Sequence, residues 1–128
     1  MSKTFSIVAA LFLLSLMHVT GLIANSNLSH PFWHVEATLV GGAIGVAMII
    51  FLFWLMDRRP GIAQGMIIVM AAAFPICLFS TWYSAQAFIE SADFEWLPGL
   101  IWHKGYQTLV ALFIPLVALV TLRYARRS

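Results

Sequence analysis

The sequence predicts an all-α protein: an integral membrane bundle of four transmembrane helices, both termini cytoplasmic, forming a single domain over residues 1–128. Three observations predict it. Of the 128 residues, 62% are hydrophobic and only 9% are charged, whereas soluble domains carry about 25% charged residues. Apolar runs long enough to cross a bilayer, which takes about 20 residues, alternate with short breaks rich in turn formers. When the chain is threaded through the membrane four times, six of its seven Lys and Arg residues fall on one side. This composition excludes a soluble globular domain, a disordered chain and a coiled coil. The net charge of +2 comes from arginines at helix ends rather than from a basic stripe, which excludes nucleic-acid binding as the main function.

The first span is expected over Phe5–Ala24. Lys3 and the run from Phe5 to Met17 resemble a signal peptide. The apolar stretch runs on too far for one, however, and Leu22 stands where a small residue should precede cleavage. A retained helix is therefore expected. The second span is expected over Val35–Met56, the third over Ile62–Ile89 and the fourth over Leu100–Leu122. The breaks between them are Asn25-Ser26-Asn27, Asp57-Arg58-Arg59-Pro60-Gly61, and Ser91 to Gly99 with its Pro98-Gly99 pair. Pro75 and Pro115 fall inside spans and should kink them.

Direction follows from the positive-inside rule. Lys3, Arg58, Arg59, Arg123, Arg126 and Arg127 fall inside and Lys104 outside. The expected location is the inner (plasma) membrane. Small residues line one stripe of the second span, and Gly41 and Gly45 form a G-x-x-x-G pair suited to close helix contact, within the bundle or with another protein. The third span offers Ala73, Cys77, Ser80, Ser84 and Ala87 as its inward stripe. Cys77 is the only cysteine, so no internal disulfide forms and the residue reads as packing.

Polar groups concentrate toward the outer side. All four histidines, His18, His30, His34 and His103, lie there, as do Glu36, Glu90, Asp93 and Glu95. The inner half of the second span, Ala43 to Met56, has no polar side chain. A polar path needs partners along its whole depth. The pattern therefore argues against a channel within one chain and for a pocket open to the outside.

His18, His103 and Gln107 are the candidate cofactor-binding residues. An ionisable side chain inside a span is a candidate site by default, and haem, a quinone or a pigment would suit an imidazole. A bis-histidine haem pairing His18 with His103 meets a depth mismatch of about 9 Å at 1.5 Å per residue. His30, His34 and Glu36 form the densest donor cluster and the candidate metal site, since imidazole and carboxylate suit zinc, copper or iron. Pro31 disfavours a continuous helix from His30 to His34. The competing reading for each set is packing or hydrogen bonding at the water interface. No nucleophile–base pair, phosphate loop or zincin motif is present, so catalysis by this chain alone is not expected. No motif resembles that of a known four-helix membrane family. The function expected first is an accessory or structural subunit of a larger membrane complex for electron transfer, light harvesting or transport. Its partners would be the lipid bilayer and other membrane protein subunits. A cofactor-binding subunit with an outward pocket and an oligomeric small transporter are the alternatives.

Overall fold

The computed structural model describes residues 2–91 and 93–125. Among them there are helices and no strand: α1 (Lys3–Val19), a single turn α2 (Leu22–Asn25), α3 (His34–Arg58), α4 (Pro60–Glu90) and α5 (Trp96–Ala125). Helices α3, α4 and α5 are each long and apolar enough to cross a membrane, and α1 is a shorter apolar helix of 17 residues. At 1.5 Å per residue α1 is about 25 Å long.

The first helix starts at a side-chain cap, where the Ser2 hydroxyl accepts from the Phe5 N–H at 3.1 Å. It stops earlier than the expected boundary of Ala24. Gly21 takes a left-handed φ of +76°, which glycine adopts without the steric penalty of a Cβ. The Thr20 hydroxyl also folds back onto the Leu16 carbonyl at 2.8 Å. The expected span Phe5–Ala24 is thus a helix, a break at Thr20-Gly21 and one further turn.

Between α3 and α4 only Arg59 intervenes. Its φ of −142° and ψ of 66° are non-helical, as steric crowding by a following proline requires. Pro60 then opens α4, a position where the missing N–H costs nothing. Helix α5 begins at Trp96 rather than at the expected Leu100. Pro98 and Gly99, expected in the break, lie in its first turn, where proline is tolerated for the same reason. Both α4 and α5 continue through Pro75 and Pro115.

Helix α5 is the centre of the bundle and packs against α1, α3 and α4. Tyr106, Val110, Ile114, Ala118 and Leu122 are buried along it at helical spacing. The glycine pair of α3 faces it. A Cβ on Gly41 would lie 2.6 Å from the Gln107 carbonyl oxygen, and one on Gly45 would lie 2.8 Å from Ile114 Cβ. The G-x-x-x-G face is therefore spent inside the chain. Among the α4 residues that meet α5 are Cys77, whose thiol donates to the Gly105 carbonyl at 3.4 Å, and the fully buried Thr81, which lies against Gly105. Ser84 is buried as expected, but Ser80 is exposed. The inward stripe thus passes through Thr81 instead of Ser80.

The outer faces are apolar. Phe5, Val8, Phe12, Leu16 and Val19 form an exposed row on α1, and Ile68, Val69, Ile76, Phe79 and Tyr83 are exposed on α4. Such faces are unfavourable in water and suited to hydrocarbon. With three helices of spanning length, this identifies a helical protein built for the membrane.

The two ends of the bundle differ. At one end Lys3 pairs with Asp57 at 2.7 Å and lies 5.4 Å from the Phe53 ring centroid. Arg123 shares a cavity there with Met56 and Gln64. This is the arginine end. Arg126 and Arg127 lie outside the described residues. The opposite end gathers the start of α3, the end of α4, the start of α5 and all four histidines.

Candidate functional site

The short α1 decides where His18 goes. The residue occupies the last turn of α1, and α3 starts at His34 right beside it. The two imidazoles stack with centroids 5.0 Å apart and planes 29° apart. Both Nδ1 atoms are buried, and neither has a hydrogen-bond partner. An unpaired buried polar atom costs about 1–3 kcal/mol. This end of the fold thus carries two such penalties side by side.

His18 also lines a groove between α1 and α3 of about 340 Å³. Its walls are Leu11, Leu14, Val35 and Leu39, with Ser15 and Thr38 as the other polar lining. Gly42 leaves its floor open, since a Cβ there would meet nothing within 4 Å. The Ser15 hydroxyl is committed to the Leu11 carbonyl at 2.8 Å. Thr38 donates to the His34 carbonyl or shares a proton with the Tyr106 hydroxyl, its second close neighbour. The imidazoles are therefore the uncommitted hydrogen-bonding groups of this region.

A second cavity of about 420 Å³ opens at the rim. His30, Glu36 and His103 line it together with Trp33, Phe88 and Trp96. The rings form a continuous wall. His30 lies 4.3 Å from Trp33 and 6.0 Å from Phe88, and Trp33 lies 5.9 Å from His103. The loop before α3 is tied down by Trp102, whose Nε1–H donates to the Asn27 carbonyl at 3.1 Å. Within that loop His30 Nδ1 accepts from the Phe32 N–H at 3.2 Å. Burial, and then the nearby His103, push the His30 imidazole below its ordinary value of 6.5, since both disfavour the charged ring.

The structure separates the residues that the sequence grouped. His18 lines the groove, while His103 lines the rim cavity. The Gln107 side chain accepts from Lys104 at 3.3 Å on its own helix, and its carbonyl backs onto Gly41. Of the candidate metal set, His30 and Glu36 share the rim cavity, but His34 turns away to His18. Among the described residues no group of three or more His, Cys, Asp or Glu side chains is placed to hold a metal ion. The haem pairing fits no better. His18 and His103, the pair considered for it, line different cavities. The aromatic residues of the rim are scattered in the sequence, and no spacing signal joins Trp33 to Phe88.

Compared with known protein families, curated proteins and solved structures, the chain matches none.

Proposed function

We propose that this chain is a four-span subunit of the inner (plasma) membrane, a single domain with both termini cytoplasmic, that binds a membrane-soluble cofactor in the groove between α1 and α3. The histidine end then faces outward. The charge bias supports this direction, because Lys3, Arg58, Arg59 and Arg123 all belong to the other end. The cofactor class is an amphipathic molecule with a hydrogen-bonding head and an apolar body, such as a quinone. The observation that carries this reading is the pair of buried, unpartnered imidazole nitrogens beside a groove whose other polar side chains, Ser15 and Thr38, are already hydrogen-bonded. A neutral imidazole offers one donor and one acceptor. The terminal torsion of histidine is broad and two-fold, so a turn of the His18 ring presents a nitrogen to the groove. Leu11, Leu14 and Leu39 would take the apolar body.

Thermal unfolding of the purified protein in mild detergent tests the reading. A short-chain quinone should raise the midpoint saturably, and His18→Leu should abolish that rise while His103→Leu retains it. No rise, or a rise that survives His18→Leu, would overturn it.

The subunit role in a larger membrane complex has its own support. Helix α4 is the least enclosed of the three long helices. It presents Phe79, Trp82 and Tyr83 outward. This is the face we assign to a partner subunit. Mass spectrometry of the complex isolated in mild detergent should find a stoichiometric partner, and Phe79→Ala with Tyr83→Ala should release it. A chain that purifies alone would remove this role.

A further inference from the structure

The rim cavity has a composition that the groove lacks: one carboxylate inside a wall of aromatic rings. We propose that it binds an alkylated ammonium group. Trp33, Phe88, Phe94 and Trp96 supply aromatic lining, and Glu36 supplies the only carboxylate. Aromatic faces attract cations through the ring quadrupole, and clustered rings are the usual device for quaternary ammonium. Glu36 is exposed in the first turn of α3, and no described lysine or arginine pairs with it. The cavity thus holds one carboxylate among rings, with no described lysine or arginine paired to it.

The surroundings agree. Glu90, Asp93 and Glu95 are exposed at the same end. The cation nearest in sequence, Lys104, donates to Gln107. The field at the rim therefore favours a cationic visitor. Two backbone features serve the ring wall. Phe94 takes a φ of +49°, a left-handed conformation that a bulky side chain rarely adopts, and its ring lies 5.6 Å from that of Phe88. Gly99 lets the Phe88 ring seat against α5, since a Cβ there would fall 2.8 Å from Phe88 Cε2.

The chemistry selects among cations. A hard metal ion wants six or more oxygen donors, and one exposed carboxylate does not provide them. An alkylated ammonium is weakly hydrated and exchanges water for ring faces at small cost. Such a group reaches the outer rim from two sources: a free solute, or the choline headgroup of a lipid. The site shares no lining residue with the α1–α3 groove, so it stands or falls separately from the cofactor reading.

Intrinsic tryptophan fluorescence of the purified protein tests it, with tetramethylammonium chloride as the probe and sodium chloride at matched ionic strength as the control. Tetramethylammonium should give a saturable change and sodium should not. Glu36→Gln and Trp96→Leu should each weaken the apparent affinity roughly five-fold or more. Both residues are exposed, and helicity by circular dichroism checks each variant. Trp54→Phe, at the arginine end, should leave the affinity unchanged. Repeating the titration in vesicles separates the sources. A weaker apparent affinity in phosphatidylcholine than in phosphatidylethanolamine, which is equally zwitterionic but carries no methyl groups, identifies the headgroup as occupant, and equal affinities identify a free solute. Equal responses to tetramethylammonium and sodium would overturn the proposal, as would wild-type affinity in both Glu36→Gln and Trp96→Leu.

Discussion

His18 and His34 come from different helices, sixteen positions apart in the chain, yet their rings stack at 5.0 Å with a buried, unpartnered Nδ1 on each. The contact follows from where α1 ends. With Gly21 breaking the helix, His18 sits in its final turn and meets the first residue of α3. A ring stack contributes about 0.5–1.5 kcal/mol by the standards of aromatic pairs. Two unpaired nitrogens cost more than that. The pair is therefore no device for stability.

The stability of histidine-to-leucine variants checks this balance. His18→Leu removes one orphaned nitrogen along with the stack. The double variant with His34→Leu removes both. In ligand-free detergent the double variant should unfold within about 1 kcal/mol of wild type or above it. A loss of about 3 kcal/mol would mean that the nitrogens are paired in solution, and would withdraw the argument.

The glycines of α3 should divide sharply by position. Gly41→Ala and Gly45→Ala place a methyl against α5 and should each cost about 1–3 kcal/mol, as overpacking does. Gly65→Ala on α4 meets nothing within 4 Å and should be neutral or stabilise by up to about 1 kcal/mol through helix propensity. Chemical denaturation of the three variants measures the contrast. Equal effects at Gly45 and Gly65 would contradict the close α3–α5 contact.

How much of this was legible in the sequence depends on the scale of the feature. Apolar length carried the long helices: Val35–Met56 and Ile62–Ile89 fall within α3 and α4. The glycine pair was legible as a contact face, because close approach of helices requires it, though its partner α5 was not. What escaped turns on single residues. Gly21 reads equally well as a small packing residue or as a left-handed stop, and only the backbone decides. A span drawn through Gly21 to Ala24 lengthens α1 and sets His18 against His103 in place of His34. Ser80 and Thr81 differ by 100° around a helix, and composition alone does not choose between neighbouring polar residues. The rim cavity joins side chains from α3, α4 and α5, a long-range arrangement that no local pattern encodes.

The proposed topology predicts a labelling pattern. In a Cys77→Ser background, Phe32→Cys sits on the loop before α3, where the residue is 86% exposed. Gly61→Cys sits at the arginine end, where a Cβ meets nothing within 4 Å. A membrane-impermeant maleimide applied to intact cells should label the first and spare the second until the membrane is opened. Labelling of Gly61→Cys in intact cells would reverse the orientation and move the rim cavity to the cytoplasm.

The loop before α3 should weaken in acid, and His30 is the reason. Its Nδ1 accepts from the Phe32 N–H, and a protonated imidazole has no acceptor to offer. Burial opposes the charge first and His103 second, so the folded ring binds a proton less readily than a free one. Glu36 on α3 and His103 on α5 are the titratable groups that share the cavity, and α4 contributes only Phe88 to its lining. The sign follows from linkage. Above pH 6.5, the ordinary value, the ring is neutral in both folded and unfolded chains and His30 imposes no penalty. As the pH falls below 6.5 and through the lower folded value, the unfolded chain gains the proton first and the folded state loses ground. His30→Asn supplies the control, because an asparagine oxygen accepts from the N–H two residues on in the same way and does not titrate. Thermal midpoints measured from neutral pH downward should fall more steeply for wild type than for His30→Asn. Parallel profiles for the two would show that the acid sensitivity of this end lies elsewhere.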